Sequence, residues 1–161
     1  MHTEFRAALI PPAFPNDVRS LLAFDRKIFS PADRFTAAHW REYTAFWMLV
    51  DHKKVGCCAF MHHVDFREDR EDSNPPKPGS LYITTTGIHP KYQGLGYGQL
   101  LKAWEIAYAY RHGFTRIITN TRKSNTRMIE PNQQFGFRRV RTTPNYYAEP
   151  TDSTVVMELK L

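Results

Sequence analysis

Apolar runs and turn-forming residues alternate along the chain, and the spacing within each run predicts an element. Residues 4–10 read as a first strand, stopped by Pro11 and Pro12. Behind Asn16 and Asp17, either of which can cap a helix, Val18, Leu21, Leu22, Phe24 and Ile28 recur at helical spacing. Ser30-Pro31 reads as a second helix start, with Phe35, Ala38 and Trp40 as its apolar side. Residues 44–50 and 55–66 are rich in apolar and aromatic side chains and flank Asp51-His52-Lys53-Lys54, which predicts a hairpin. Residues 81–88 form a further strand ended by Pro90. Residues 98–112 form a helix with Leu100, Leu101, Trp104, Ala107 and Tyr108 on its apolar side. Gly113 sits where a left-handed terminating residue belongs. Residues 116–120 are a short strand, so strand, helix and strand make a βαβ unit whose two strands run parallel. Ser124 or Asn125 caps a last helix that ends at Gly136, and residues 137–141 and 154–161 close the chain as two strands.

Residues 67–80 break this rhythm. They carry charges, three prolines and a glycine with no apolar anchor, and they predict an exposed loop. At 161 residues the chain suits a single domain over 1–161. With 42% apolar and 14% aromatic residues it is too apolar for disorder. Its longest apolar run, Ala45 and Phe46 to Val50, is far short of the about 20 residues that cross a bilayer. The first residues lack the apolar core and cleavage site of a secretory signal. Cys57 and Cys58 are adjacent, so on a strand they point to opposite faces and cannot pair. Two unpaired thiols fit a reduced, cytoplasmic setting. The seven histidines show no metal-ligand spacing, and no metal is expected. The net charge of +6 favours polyanionic partners. The Lys and Arg residues are scattered, without the basic stripe and stacking aromatics of a nucleic-acid binder, so neither nucleic acid nor membrane is an expected partner.

The chemistry-bearing segment is Gln93-Gly94-Leu95-Gly96-Tyr97-Gly98, between the strand ending at Ile88 and the helix that follows. Backbone N–H groups and a positive helix end together bind phosphate, and glycines let an anion come close. A Walker A loop needs Gly-Lys-Ser/Thr at its end, but Gln99 and Leu100 follow Gly98. A dinucleotide fingerprint needs G-x-G-x-x-G and an acid about 20 residues on, and both are missing. The pattern Gln/Arg-x-x-Gly-x-Gly/Ala behind an apolar-x-Pro strand end fits Gln93, Gly96 and Gly98 with Ile88-His89-Pro90 in front.

With that loop, Asn125 ahead of Gly136-Phe137, and Tyr146-Tyr147 ahead of a strand, the sequence resembles the GNAT superfamily of N-acyltransferases. The tail resembles that of ribosomal-protein N-terminal acetyltransferases. The resemblance implies a mixed α/β fold, with a mostly antiparallel sheet, one splayed parallel pair and flanking helices. It implies acetyl-CoA as co-substrate and transfer of acetyl to a primary amine of a small molecule or to a peptide α-amine. It places the pyrophosphate on Gly94, Leu95, Gly96, Tyr97, Gly98 and Gln99, and pantetheine along Thr86, Gly87 and Ile88. The Ile88 N–H would face the thioester oxygen, an oxyanion contact worth roughly 3 kcal/mol. Asn125 would bond the pantetheine arm, and Arg122, Lys123 and Arg127 are candidates for the phosphates.

Two positions depart from the family. Asn132 stands four residues before Gly136, where many members have a Tyr that protonates the leaving thiolate. Asn120 stands where many have a Glu. An amide neither takes nor gives a proton near neutral pH, and the resemblance implies that both positions contact the cofactor. Proton handling then falls to other residues: His62 or His63, Tyr82, Tyr146 and Tyr147 are the candidates, and His89 is expected to be exposed. A low-pKa acceptor is also easier. Deprotonating a lysine-like amine at neutral pH costs roughly 4 kcal/mol against about 1 for an α-amine. The competing reading is an acyl-CoA-binding or regulatory module that has lost turnover. A homodimer is compatible with the family.

Overall fold

The computed structural model describes residues 8–68 and 73–161. Four helices, α1 (Val18–Ile28), α2 (Ala37–Glu42), α3 (Tyr97–Arg111) and α4 (Thr126–Gln134), flank a sheet of β1 (Thr44–Val50), β2 (Lys53–Val64), β3 (Pro76–Ile88), β4 (Arg116–Arg122), β5 (Arg138–Ala148) and β6 (Thr151–Lys160). The strand order is β1-β2-β3-β4-β6-β5. Its parallel pair is β3 with β4, while β6 runs antiparallel to both β4 and β5. This is the mixed α/β architecture expected from the sequence. The chain clusters into two compact units, Met1–Ala59 with Thr85–Leu101, and Phe60–Thr84 with Lys102–Leu161.

In the first unit, Val18, Leu21 and Phe24 of α1 pack with Trp40, Ala45, Trp47, Cys57 and Ala59 in one core cluster. Both cysteines are buried and unbridged. Part of the expected first strand lies outside the described residues. The remainder forms isolated antiparallel bridges with β1, Leu9 to Leu49 and Pro12 to Phe46, rather than a strand. The prolines do not stop this pairing. Pro11 needs no N–H to accept from Trp47, at 2.9 Å, and Ala13 donates to Ala45 at 2.8 Å. The second helix starts later than Ser30-Pro31, which opens only a 3₁₀ turn over Pro31–Asp33. Thr36 is the cap, its hydroxyl accepting from the His39 N–H. The β1–β2 turn narrows to Asp51 and His52, both at positive φ, as a two-residue hairpin connection requires.

In the second unit, β3 begins at Pro76, inside the segment expected to be loop. Lys77 is held there by Asp65, and the Gly79 N–H donates to His63 Nδ1, so ion pairing and a side-chain acceptor anchor a sequence without apolar residues. The two closing strands are longer than expected and take in most of residues 142–153, which join them as a hairpin. Its register slips between Thr143 and Tyr147, with Asn145 at φ 55°. Such a bulge bends a strand and re-aims its side chains, here Tyr146 and Tyr147.

Candidate functional site

The glycine loop is built as a cradle of donors. Beyond β3, the His89 N–H bonds to the Val55 carbonyl at 2.8 Å, and Tyr92 and Gln93 donate back to His89 and Pro90. The Gln93 side chain closes the loop, with Nε2 donating to the Ile88 carbonyl at 3.0 Å. Gly94 and Gly96 follow at φ 78° and 87°, where a side chain would be strained, and open space surrounds each. Then α3 starts at Tyr97. The backbone N–H groups from Gly94 to Gln99 have no acceptor among the described residues, and the next one, of Leu100, turns back to Gly96. Donors without an acceptor at the positive end of a 15-residue helix have the chemistry that suits a phosphate-bearing anion. Leu95 stands out from it, 65% exposed.

Strand alternation settles which way the Ile88 N–H faces. The His89 N–H points to β2, so that of Ile88, one residue earlier, points to the opposite edge of β3. The ladder with β4 ends at Ile83 and Thr119, although both strands continue. Thr86 and Gly87 are buried just ahead of Ile88. A Cβ on Gly87 would come within 2.8 Å of Ile28 Cδ1, so a side chain there would force the Ile28 side chain of α1 to shift.

The second unit assembles Tyr82, Asn120, Tyr147 and Thr154 into one hydrogen-bonded cluster. Tyr82 donates to Asn120 Oδ1 at 2.6 Å. Asn120 Nδ2 donates to the Tyr147 hydroxyl at 3.3 Å and to Thr154 Oγ1 at 3.1 Å. One side chain each from β3, β4, β5 and β6 is thereby joined. Both N–H groups of Asn120, expected to reach a cofactor, are engaged inside the protein. The Arg122 guanidinium lies 4.1 Å over the Tyr147 ring and donates to the Pro150 and Glu149 carbonyls. That anchoring ties a phosphate candidate to the hairpin instead. Tyr146 packs edge-on to Tyr147 and against Phe66 in the cluster of Phe66, Tyr82, Ile118 and Val156.

The remaining expected site residues lie apart from this cluster. Asn132 is 1% exposed in α4, with Nδ2 4.0 Å from Met157 Sδ and Oδ1 without a partner among the described residues. Asn125 is the exposed N-cap residue of α4, and its amide donates to Thr121 Oγ1 at 3.3 Å rather than capping. His63 is at φ 58° with Nδ1 accepting from Gly79, so one ring nitrogen is already engaged. The His62 ring lies tilted against Tyr108 and Phe114, and burial, helped by His63 and His112, pushes its pKa below the usual histidine range. His89 is half-buried against Phe24 and Tyr92, not simply exposed, and its Nδ1 accepts from Lys91. No group of three metal-ligating side chains is found among the described residues. The role of Thr154 in the Asn120 cluster carried no sequence signal, because only the β4–β6 register, which sets it opposite Arg122, brings it within hydrogen-bond reach of Asn120.

Comparison with known proteins agrees with this fold. Residues 16–137 match the family model described as "Acetyltransferase (GNAT) family". The chain superposes on the ribosomal-protein-S18-alanine N-acetyltransferase from Escherichia coli with a TM-score of 0.78, at 15% identity, covering 96% of this chain and 94% of that one. It superposes on the loading GNATL domain of CurA from Lyngbya majuscula with a TM-score of 0.79, at 13% identity, covering 96% and 98%. For Ard1 from Thermoplasma volcanium the TM-score is 0.73, at 16% identity, covering 96% and 98%. At these identities the likeness is one of fold. No curated protein sequence matches the chain.

Proposed function

The chain belongs to the GNAT acetyltransferase family, and on that premise we propose that it transfers the acetyl group of acetyl-CoA to a primary amine, either of a small molecule or at a peptide N-terminus. The observation that carries the reading is the run of unengaged N–H groups from Gly94 to Gln99 at the head of α3. The residues fit a pyrophosphate: the donors come from the backbone, two of the positions are positive-φ glycines, and nothing crowds them. Acetyl-CoA supplies an acyl group activated as a thioester. Gln93 braces the loop from below through the Ile88 carbonyl. The Ile88 N–H, directed to the edge of β3 away from β2, is the donor for the thioester oxygen. Oriented donors of this kind act most on the charge that develops as an amine adds.

No carboxylate stands at Asn120, which favours acceptors that lose their proton easily. The test is thiol release from acetyl-CoA with a panel of amines near pH 7. Amines of pKa near 8, such as peptide α-amines, are expected to react faster than lysine-like amines, since the deprotonation cost differs by roughly 3 kcal/mol. Equal or reversed rates would overturn the acceptor preference. Tight acetyl-CoA binding without thiol release from any amine would assign the chain to acyl-CoA binding instead.

A further inference from the structure

We propose that His89 is a positioning residue for the CoA-binding loop, and that the loop loses this support when the ring takes a proton, so that CoA affinity falls on acidification; the inference rests on the acetyl-CoA reading above. Every group it uses lies in the first compact unit. The donor run from Gly94 to Gln99 has no acceptor among the described residues, and nothing approaches Gly94 or Gly96 within 4 Å. Its position is therefore set from its two ends, by α3 on one side and by a single 3₁₀ turn, Pro90–Tyr92, on the other. That turn has few bonds to hold it. Pro90 has no N–H. The Tyr92 N–H donates to the His89 carbonyl at 2.8 Å, and the Gln93 N–H reaches the Pro90 carbonyl only at 3.4 Å. The Lys91 N–H has its acceptor in Nδ1 of the His89 ring, at 3.1 Å. The ring thus caps the turn in the way an Asn or Asp side chain caps a helix.

A ring nitrogen that accepts carries no proton, so the neutral His89 ring has its N–H at Nε2. The imidazolium has an N–H at both nitrogens. Nδ1 then meets the Lys91 N–H donor to donor, and the bond turns into a repulsion. The ring is held between Phe24 and Tyr92, with centroids 5.9 Å away on each side, and the His89 N–H is tied to the Val55 carbonyl at 2.8 Å. The turn is the part left to give way. Gln93 closes it, and the same residue braces the Ile88 carbonyl and leads into Gly94. No ion pair replaces the lost bond. On α1, Asp25 is turned to the Phe35 N–H, and Arg19, Arg26 and Lys27 are exposed. On β2, Lys53 is exposed and the Lys54 ammonium lies over Trp47. On the turn itself, the Lys91 ammonium lies 5.8 Å over the Tyr92 ring, so the nearest charge there is a second cation.

Two variants separate this role from simple packing. His89→Asn puts an acceptor oxygen where Nδ1 stands, and that oxygen takes no proton. His89→Gln carries its polar group one bond further out, in the place of Nε2, and leaves the Lys91 N–H without its acceptor. CoA is titrated calorimetrically into wild type and both variants between about pH 8 and about 5.5, the span in which histidine changes charge. A phosphate monoester of CoA also gains a proton near about pH 6, but it does so for every variant, so the ratio of affinities isolates the ring. At pH 8, His89→Asn is expected to bind CoA within about threefold of wild type, and His89→Gln about fivefold more weakly than His89→Asn. On acidification wild type loses about fivefold or more against His89→Asn, while the ratio of the two variants stays constant. Independently of CoA, the Lys91 backbone amide signal of ¹⁵N-labelled protein moves over this pH span in wild type and stays in place in His89→Asn. A wild type that binds CoA at a pH-independent ratio to His89→Asn overturns the proposal alone. So does a Lys91 signal that stays in place in wild type, or a folded His89→Gln that binds as well as His89→Asn at pH 8. Should His89→Gln fail to fold, the wild type and His89→Asn pair decides. A wild type that binds no CoA at any pH overturns the acetyl-CoA reading, and the role of His89 with it.

Discussion

Asp25 occupies a helical position four residues after Leu21, on the face of α1 that the spacing sends inward, and it is 2% exposed. Its carboxylate accepts from the Phe35 N–H at 2.9 Å. Burial raises its pKa, and neither that bond nor the nearby Arg34 charge fully offsets this. A raised carboxyl pKa means that the fold holds the charged form at a disadvantage. That disadvantage is fully present above the folded pKa and disappears as the pH falls below the ordinary value of about 3.9. Asp25→Asn keeps an oxygen for Phe35 and removes the charge. Its melting temperature is therefore expected to exceed that of wild type at pH 7 by a margin that narrows on acidification. A margin that is constant or widens as the pH falls would contradict this. The same scale shows what sequence could reach at the candidate site. Gln93, Gly94 and Gly96 were legible because a loop between strand and helix uses backbone donors, whose position follows from spacing alone. The engagement of Asn120 was not, because its partners lie 38, 27 and 34 residues away and meet it only through the sheet register.

α3 shows the limit of pattern at the scale of an element. Apolar residues are spread around its whole circumference, so the side read from spacing only partly matches the buried one. Leu100, assigned inward, is 47% exposed, whereas Lys102 and Glu105 are 5% and 0% exposed. They form an ion pair at 2.8 Å, with the Lys102 ammonium 5.6 Å from the Phe137 ring. Removing one member of a buried pair leaves a charge without its counterion and costs about 3–5 kcal/mol, while replacing both by apolar residues is often near neutral. Lys102→Met is therefore expected to lower the unfolding free energy by several kcal/mol, and Lys102→Met with Glu105→Leu by much less. Denaturant melts of both variants check this, and an equal loss in the two would contradict it. The termini of elements were legible where a local rule governs them, as at Gly113, which takes φ 77° after α3. They were misread where tertiary partners override composition, as at Pro76–Ser80, drawn into β3 by Asp65 and His63.

For the molecule as a whole, the βαβ crossover was legible because a strand, a well-marked helix and a strand in sequence leave only a parallel pairing. The placing of β6 between β4 and β5 was not readable from local periodicity. The net charge of +6 aids encounter with a polyanion, and the proposed function assigns the specific contacts to the backbone N–H groups at the head of α3. Two glycines bracket that helix with the same left-handed backbone and the same open surroundings, Gly96 at φ 87° and Gly113 at φ 77°. An alanine imposes similar backbone strain at either place, of roughly 1–2 kcal/mol. The most direct test of the account is calorimetric titration of CoA into wild type, Gly96→Ala and Gly113→Ala. The account predicts at least about tenfold weaker binding in Gly96→Ala alone, a difference of about 1.4 kcal/mol. Equal CoA affinity in Gly96→Ala and Gly113→Ala would contradict it.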